Sequence, residues 1–176
     1  WLIDHAIFTA DGISISILIF KSYFCWVKQY PGIDMVHDLL QRSTGYKVAM
    51  IGASSNCLKQ ACDYFQLHYG HHELVFSMDG FCDFSDAHIA TLKNVKPDIV
   101  LVAMGCPRQD ELLRRLTKEL LSGIGIGVGG VFDVWAGASR RAPLLFRRLG
   151  LEWLVRIVYQ PRRIFSFVRS IYWIFK

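Results

Sequence analysis

The residues of this chain that could do chemistry are arginines near its end, isolated aspartates, one glutamine and a group of glycines. Arg156, Arg162 and Arg163 lie on either side of Pro161. They are close enough to converge on one diphosphate, and a guanidinium makes paired hydrogen bonds to phosphate oxygens. The alternative is a solvated basic face, or stems packed on aromatic neighbours. Gly127, Gly129 and Gly130 would let a ligand approach the backbone, with N–H groups turned to a phosphate. A tight turn between strand and helix is the plainer reading, since the spacing is not G-x-G-x-x-G. Gln109, at the start of a helical pattern, could donate to a sugar or phosphate oxygen or could cap the helix. Asp11 stands before Gly12 as a turn-former. Asp34 suits the first turn of a helix. Asp133 lies among apolar residues, where a buried acid needs a partner, and a structural salt bridge to Arg140 or Arg141 would supply one.

Other chemistries lack their residues. No Asp-x-Asp occurs, so a carboxylate pair holding a divalent cation on a diphosphate is not encoded in that form. Cys106 has no histidine in a local motif with it, and His71-His72 reads as a solvated loop rather than a metal site. The five cysteines form no CxxC pair, which suits reduced thiols in a cytoplasmic protein.

The elements that must position these residues alternate. Lys47–Ile51, Glu73–Ser77, Asp98–Ala103 and Gly123–Val128 are short apolar runs, each ending at or near a glycine. Between the first two, Leu58, Ala61, Cys62 and Phe65 fall at helical spacing, with Ser54 or Ser55 as N-cap. A polar helix is expected from about Ser85 to Asn94, and another from Asp110 to Leu121 with Leu112, Leu113, Leu116 and Leu120 on one face. Strands separated by helices pair in parallel, and continuous apolar runs mean that both sheet faces are covered. The fold class is α/β, a Rossmann-like, largely parallel sheet flanked by helices. Ligands bind such sheets at the carboxyl ends of the strands.

Composition agrees with a folded core. Of 176 residues, 52% are hydrophobic and 20% charged, which excludes disorder. The net charge of +5 is uneven. From Ser139 to Lys176 there are nine basic residues and one acid, a net of +8, leaving 11 basic and 14 acidic residues, net −3, before Ser139. That tail also carries Phe146, Trp153, Tyr159, Phe165, Phe167, Tyr172, Trp173 and Phe175. We expect residues 1–138 to form the α/β domain and 139–176 a basic, aromatic, helical C-terminal appendage. Its charge suits phosphate or an anionic membrane surface. No nucleic-acid recognition motif accompanies it. The apolar stretch Ile13–Val27 is interrupted by Ser14, Ser16, Lys21 and Ser22, short of the roughly 20 apolar residues of a membrane span.

In order along the chain, Ala10-Asp11-Gly12, Gly32-Ile-Asp34, Ile51-Gly-Ala53, Asp79-Gly-Phe81, Gly105-Cys-Pro-Arg-Gln-Asp110, Gly127-Val-Gly-Gly-Val-Phe-Asp133, Ala136-Gly137, Arg141-Ala-Pro143, Gly150-Leu-Glu-Trp-Leu-Val-Arg156 and Gln160-Pro-Arg-Arg163 resemble the WecG/TagA/CpsF glycosyltransferases. The resemblance covers nearly the whole chain. It implies an inverting transferase that moves an N-acetylmannosamine-type or uronic acid sugar from a UDP donor to a polyprenyl-diphosphate-linked N-acetylglucosamine. Its setting would be surface polysaccharide or teichoic acid synthesis, peripheral to the inner face of the bacterial plasma membrane, without cofactor or catalytic metal. By position in the family motifs, Asp11 is the expected general base and Gln109 a residue of the catalytic site, here with Arg108 and Asp110 beside it. Arg156 and Arg163 are the expected diphosphate ligands. Gly127, Gly129, Gly130 and Asp133 are expected to bind substrate. Gln160 replaces the family's usual glutamate, and Ser166 stands where some members have arginine. Family members carry a further segment before the Asp-Gly motif, so the chain reads as N-terminally truncated. The rival expectation is a non-catalytic nucleotide-binding or membrane-docking module. Whether the protein is a homo-oligomer is open.

Overall fold

The computed structural model describes residues 13–25, 27, 30–119, 123–139 and 143. Asp11, Arg156, Arg163 and the appendage expected over 139–176 therefore lie outside the described residues, apart from Ser139 and Pro143. The chain divides into two compact units, and the first contributes helix α1 (Ile13–Tyr23) to the description. The second begins at Gly32 and contains everything else discussed below.

This second unit alternates strand and helix as its hydrophobic pattern predicts. Helix α2 (Gly32–Arg42) leads into β1 (Lys47–Gly52), α3 (Ser55–Tyr69), β2 (Glu73–Met78), α4 (Asp86–Val95), β3 (Ile99–Ala103), α5 (Arg108–Glu119), β4 (Ile124–Gly127) and the short α6 (Val131–Trp135). The four strands form one sheet in the order β2-β1-β3-β4, and every pair is parallel. The fold is α/β.

Both faces of the sheet are covered, which is why β1 and β3 are apolar at successive positions. Val48, Met50, Ile99 and Leu101 pack into one cluster with α2, α3 and α6. The intervening Ala49, Ile51, Val100 and Val102 pack into the other with Leu92 of α4 and Leu112 and Leu116 of α5. The two-residue period of the strand sorts one continuous run into two cores.

Local chemistry sets the helix ends. Ser54 is extended, and its Oγ accepts from the Cys57 N–H, which makes it the N-cap of α3. Ser85 caps α4, its N–H donating to Nδ1 of His88 at 3.1 Å. Helix α5 starts at Arg108, two residues before the expected Asp110, because Gly105 and Pro107 carbonyls already accept from the N–H groups of residues 109 to 111. Asp98 joins the beginnings of two strands, its Oδ2 accepting from the Lys47 N–H at 2.8 Å.

His71 and His72 lie in the turn between α3 and β2, as expected, but only His71 is exposed. His72 is buried, donates from Nε2 to the Leu40 carbonyl and accepts at Nδ1 from the Tyr46 N–H. His71 donates to the same carbonyl. Together they satisfy the end of α2, a role set by contacts some thirty residues away in sequence.

Candidate functional site

The strand order reverses between β1 and β3, since β2 lies beyond β1 and β4 beyond β3. At such a reversal the connections leave in opposite directions and open a crevice at the carboxyl ends of the strands. Backbone contact closes its floor tightly. Gly52 has φ +131°, and a Cβ there would lie 2.2 Å from the Ala103 carbonyl oxygen. Only glycine fits. The Ala53 N–H then donates to Ala103 at 2.9 Å, and the Gly80 N–H donates to the Ala53 carbonyl at 2.8 Å.

On the β2 side, Asp79 organises the loop that leads to α4. Its Oδ1 accepts from the N–H groups of Phe81 and Cys82, and its Oδ2 from the hydroxyl of Ser55 and the thiol of Cys82. The Cys82 thiol, the Phe81 amide and the Ser55 hydroxyl hold the Asp79 carboxyl below the usual carboxylate range. Arg108, the first residue of α5, donates to the Gly80 carbonyl at 2.9 Å. Farther along α5, Arg115 donates to the Phe84 carbonyl and to Asp86. An open groove of about 530 Å³ runs here, lined by Met104, Pro107, Arg108, Glu111, Leu112 and Arg115. Both of its arginines are committed to the loop.

On the β4 side, five of the sequence-predicted residues come together. Gln109 projects from the start of α5, and its Oε1 accepts from the Gly129 N–H at 3.3 Å. Its amide nitrogen lies 2.9 Å from where a Cβ on Gly127 would stand, so glycine at 127 makes room for it. Gly129 adopts φ +53° in the turn between β4 and α6. Gly130 is the N-cap of α6, and Asp133 lies in that helix's first turn. The Asp133 Oδ2 is 3.5 Å from the position of a Cβ on Gly130.

Gly129 and Gly130 thus form the strand-to-helix turn, and Gly127 ends the strand that leads into it. The Gly129 N–H is occupied by a side chain, and Gln109 ties the turn to α5 rather than capping its own helix.

Asp133 has a partner that sequence reasoning missed. Its Oδ1 accepts from the thiol of Cys57 at 3.4 Å, across 76 positions of sequence. The expected partners Arg140 and Arg141 lie outside the described residues. Burial above all, and then the bond to Asp133 and its charge, push the Cys57 thiol up to about 11. It remains a protonated donor at neutral pH. The Cys106 thiol is raised as well, chiefly by its hydrogen bond to Asp110, which agrees with its dismissal as a nucleophile. The one signal that could have picked out Cys57 is its place in the first turn of the helix after β1, where Rossmann-like sheets face their ligands.

Among the described residues no group of three or more His, Cys, Asp or Glu side chains is gathered to hold a metal ion. No described helix is long and apolar enough to cross a membrane.

Comparison with known proteins adds to this geometry. Three relatives are the N-acetylglucosaminyldiphosphoundecaprenol N-acetyl-beta-D-mannosaminyltransferases of Staphylococcus aureus strains NCTC 8325 / PS 47, COL and MSSA476. Each is 32% identical to this chain, over 76% of the chain and 54% of the relative. The chain therefore spans about half the length of the curated relatives it matches. The family model described as "Glycosyl transferase WecG/TagA/CpsF family" matches residues 2–175. With nearly every residue inside that match and a parallel α/β sheet beneath it, the chain belongs to the WecG/TagA/CpsF family of glycosyl transferases.

Proposed function

We propose that this protein takes part in the transfer of an N-acetylmannosamine-type sugar from a UDP donor to a polyprenyl-diphosphate-linked N-acetylglucosamine. The observation that carries this reading is the convergence of Gln109, Gly127, Gly129, Gly130 and Asp133 at the carboxyl end of β4, within a chain of this family. The name of the relatives supplies the sugar and the acceptor class.

In this reading the β4–α6 turn receives the sugar nucleotide. Asp133 accepts hydrogen bonds from its hydroxyls, and the amide nitrogen of Gln109 offers N–H groups beside the turn. Asp11 takes the proton of the acceptor hydroxyl, whose oxygen attacks the anomeric carbon from the face opposite UDP. The bond to the diphosphate oxygen breaks, and the configuration inverts. Arg156 and Arg163 stabilise the charge that develops on the leaving diphosphate, so no metal or other cofactor is required. A preorganised donor of this kind supplies about 3 kcal/mol. The basic, aromatic sequence after Leu151 would bring the site to the anionic cytoplasmic face of the membrane.

The deciding experiment incubates the protein with several UDP-sugars and a lipid-diphosphate N-acetylglucosamine, and measures UDP released and glycosylated lipid formed. Turnover that needs both substrates supports the proposal. UDP binding without turnover would make the chain a nucleotide-binding module. No binding of any UDP-sugar would remove the reading.

A further inference from the structure

We infer that the thiol of Cys57 is a positioning group for Asp133, fixing the carboxylate so that one oxygen stays turned to the ligand of the β4–α6 turn. The inference rests on the reading of that turn as the sugar-nucleotide subsite.

The geometry has three parts. First, the thiol is itself held. Cys57 is 8% exposed, it lies in the first turn of α3, and its N–H is bonded to the Ser54 cap at 3.4 Å. Secondly, α3 and α6 are locked together beneath the pair. Trp135 stacks on Tyr64 with ring centres 5.6 Å apart and touches Phe65 and Tyr69, while Phe132 is fully buried in the same cluster. Thirdly, the two carboxylate oxygens differ. Oδ1 accepts from the thiol, whereas Oδ2 lies on the Gly130 side, against the turn.

A thiol is a weak donor. It can therefore fix the rotamer of Asp133 without neutralising the charge, as a guanidinium would. The thiol proton stays in place at neutral pH because burial and the carboxylate both resist its loss. Cys57 need not touch the substrate. It acts through Asp133.

The test is isothermal titration of the full chain with UDP, alongside thermal unfolding of each variant. Asp133→Ala is expected to weaken UDP binding about tenfold, and Cys57→Ala about threefold to fivefold. Cys57→Ser keeps a donor and should return affinity to within about twofold of the parent, whereas Cys57→Val, of similar bulk and without a donor, should not. In an Asp133→Ala background, Cys57→Ala should cost nothing further, because there is no carboxylate left to orient. An unchanged UDP affinity in Cys57→Ala, or an equal loss with and without Asp133, would overturn the positioning role and leave the subsite standing. An unchanged affinity in Asp133→Ala would overturn the subsite reading, and the positioning role with it. If Cys57→Ala fails to fold, the contrast between Cys57→Ser and Cys57→Val decides the same question.

Discussion

Gln109 and Gly129 are joined by one hydrogen bond, from the backbone N–H of the glycine to the side-chain oxygen of the glutamine, 3.3 Å long and twenty residues apart in sequence. It couples the start of α5 to the turn before α6. The Gln109 amide nitrogen is then left beside Gly127, where there is no side chain to displace it.

Gly127→Ala tests that coupling. The new methyl would stand 2.9 Å from the Gln109 amide nitrogen and 3.3 Å from a Leu113 methyl, both of them movable side-chain ends. Folding should lose only about 1 kcal/mol, while the Gln109 amide is pushed off Gly129 and UDP affinity drops about fivefold. Gln109→Leu should give a similar affinity loss without the steric intruder. Calorimetric titration with UDP and a thermal melt measure the two effects separately, and unchanged affinity in both variants would count against the coupling.

Gly52→Ala should be far more damaging. Its Cβ would meet the backbone of Ala103, which cannot step aside, at a φ that side chains rarely adopt. The expected loss is about 3 kcal/mol or more, read as a lowered urea midpoint or as absence of folded protein. Gly105→Ala is the control. It also has a positive φ, +72°, but a Cβ there meets nothing within 4 Å, so only strain of about 1 kcal/mol is expected.

Alkaline pH should lower the stability of the fold over two overlapping ranges. Cys57 rises from 9.0 to about 11 in the folded state, through burial and then Asp133. Tyr69 rises from 10.0 to about 12, through burial and then Tyr64. A raised pKa means that the native state holds the proton more tightly than the unfolded chain, so stability is intact below the ordinary value and is lost as pH climbs towards the folded one. Urea midpoints should therefore fall from about pH 9 upwards. The early part of that fall should flatten in Cys57→Ser. An unaltered early slope would show that the thiol does not titrate as the buried contact requires.

The β2–α4 loop should loosen when its arginines are removed. Arg108 donates to Gly80, and Arg115 donates to Phe84 with its guanidinium 5.8 Å from the ring centre. In Arg108→Ala or Arg115→Ala, amide exchange at residues 80 to 86 should quicken about tenfold while β1 and β3 keep their protection. Equal acceleration in the strands would mean that the arginines support the whole domain and not the loop.

The sheet was legible because its signal is local and redundant. The runs at Lys47, Glu73, Ile99 and Ile124 are short and largely apolar, each ends at or near a glycine, and the first three are followed by a helical period, so every strand boundary read from sequence lies within a residue of the observed one. The Ser54 cap was readable for the same reason. The site was legible in part. Gln109, Gly127, Gly129, Gly130 and Asp133 stand out from their types and order, and the fold gathers them at one strand end. The bonds from Cys57 to Asp133 and from His72 to Leu40 were not readable, because each joins residues far apart in sequence. Asp133 accepts from a thiol on another helix, while Arg140 and Arg141, the partners expected from sequence, lie outside the described residues. His72 looks like loop until the Leu40 carbonyl, thirty-two residues earlier, is brought beside it. Pairings of that kind arise from topology and leave no periodic trace.

Trp135 sits two residues beyond Asp133 on the five-residue α6, 7% exposed and stacked on Tyr64. A ligand seated at the preceding turn would tilt or steady a helix barely longer than one turn, and the indole is rigidly bonded to that helix. Its emission should then shift in colour or intensity as the turn fills. That gives an optical gauge of occupancy without any attached dye, sharpened by replacing the other four tryptophans with phenylalanine.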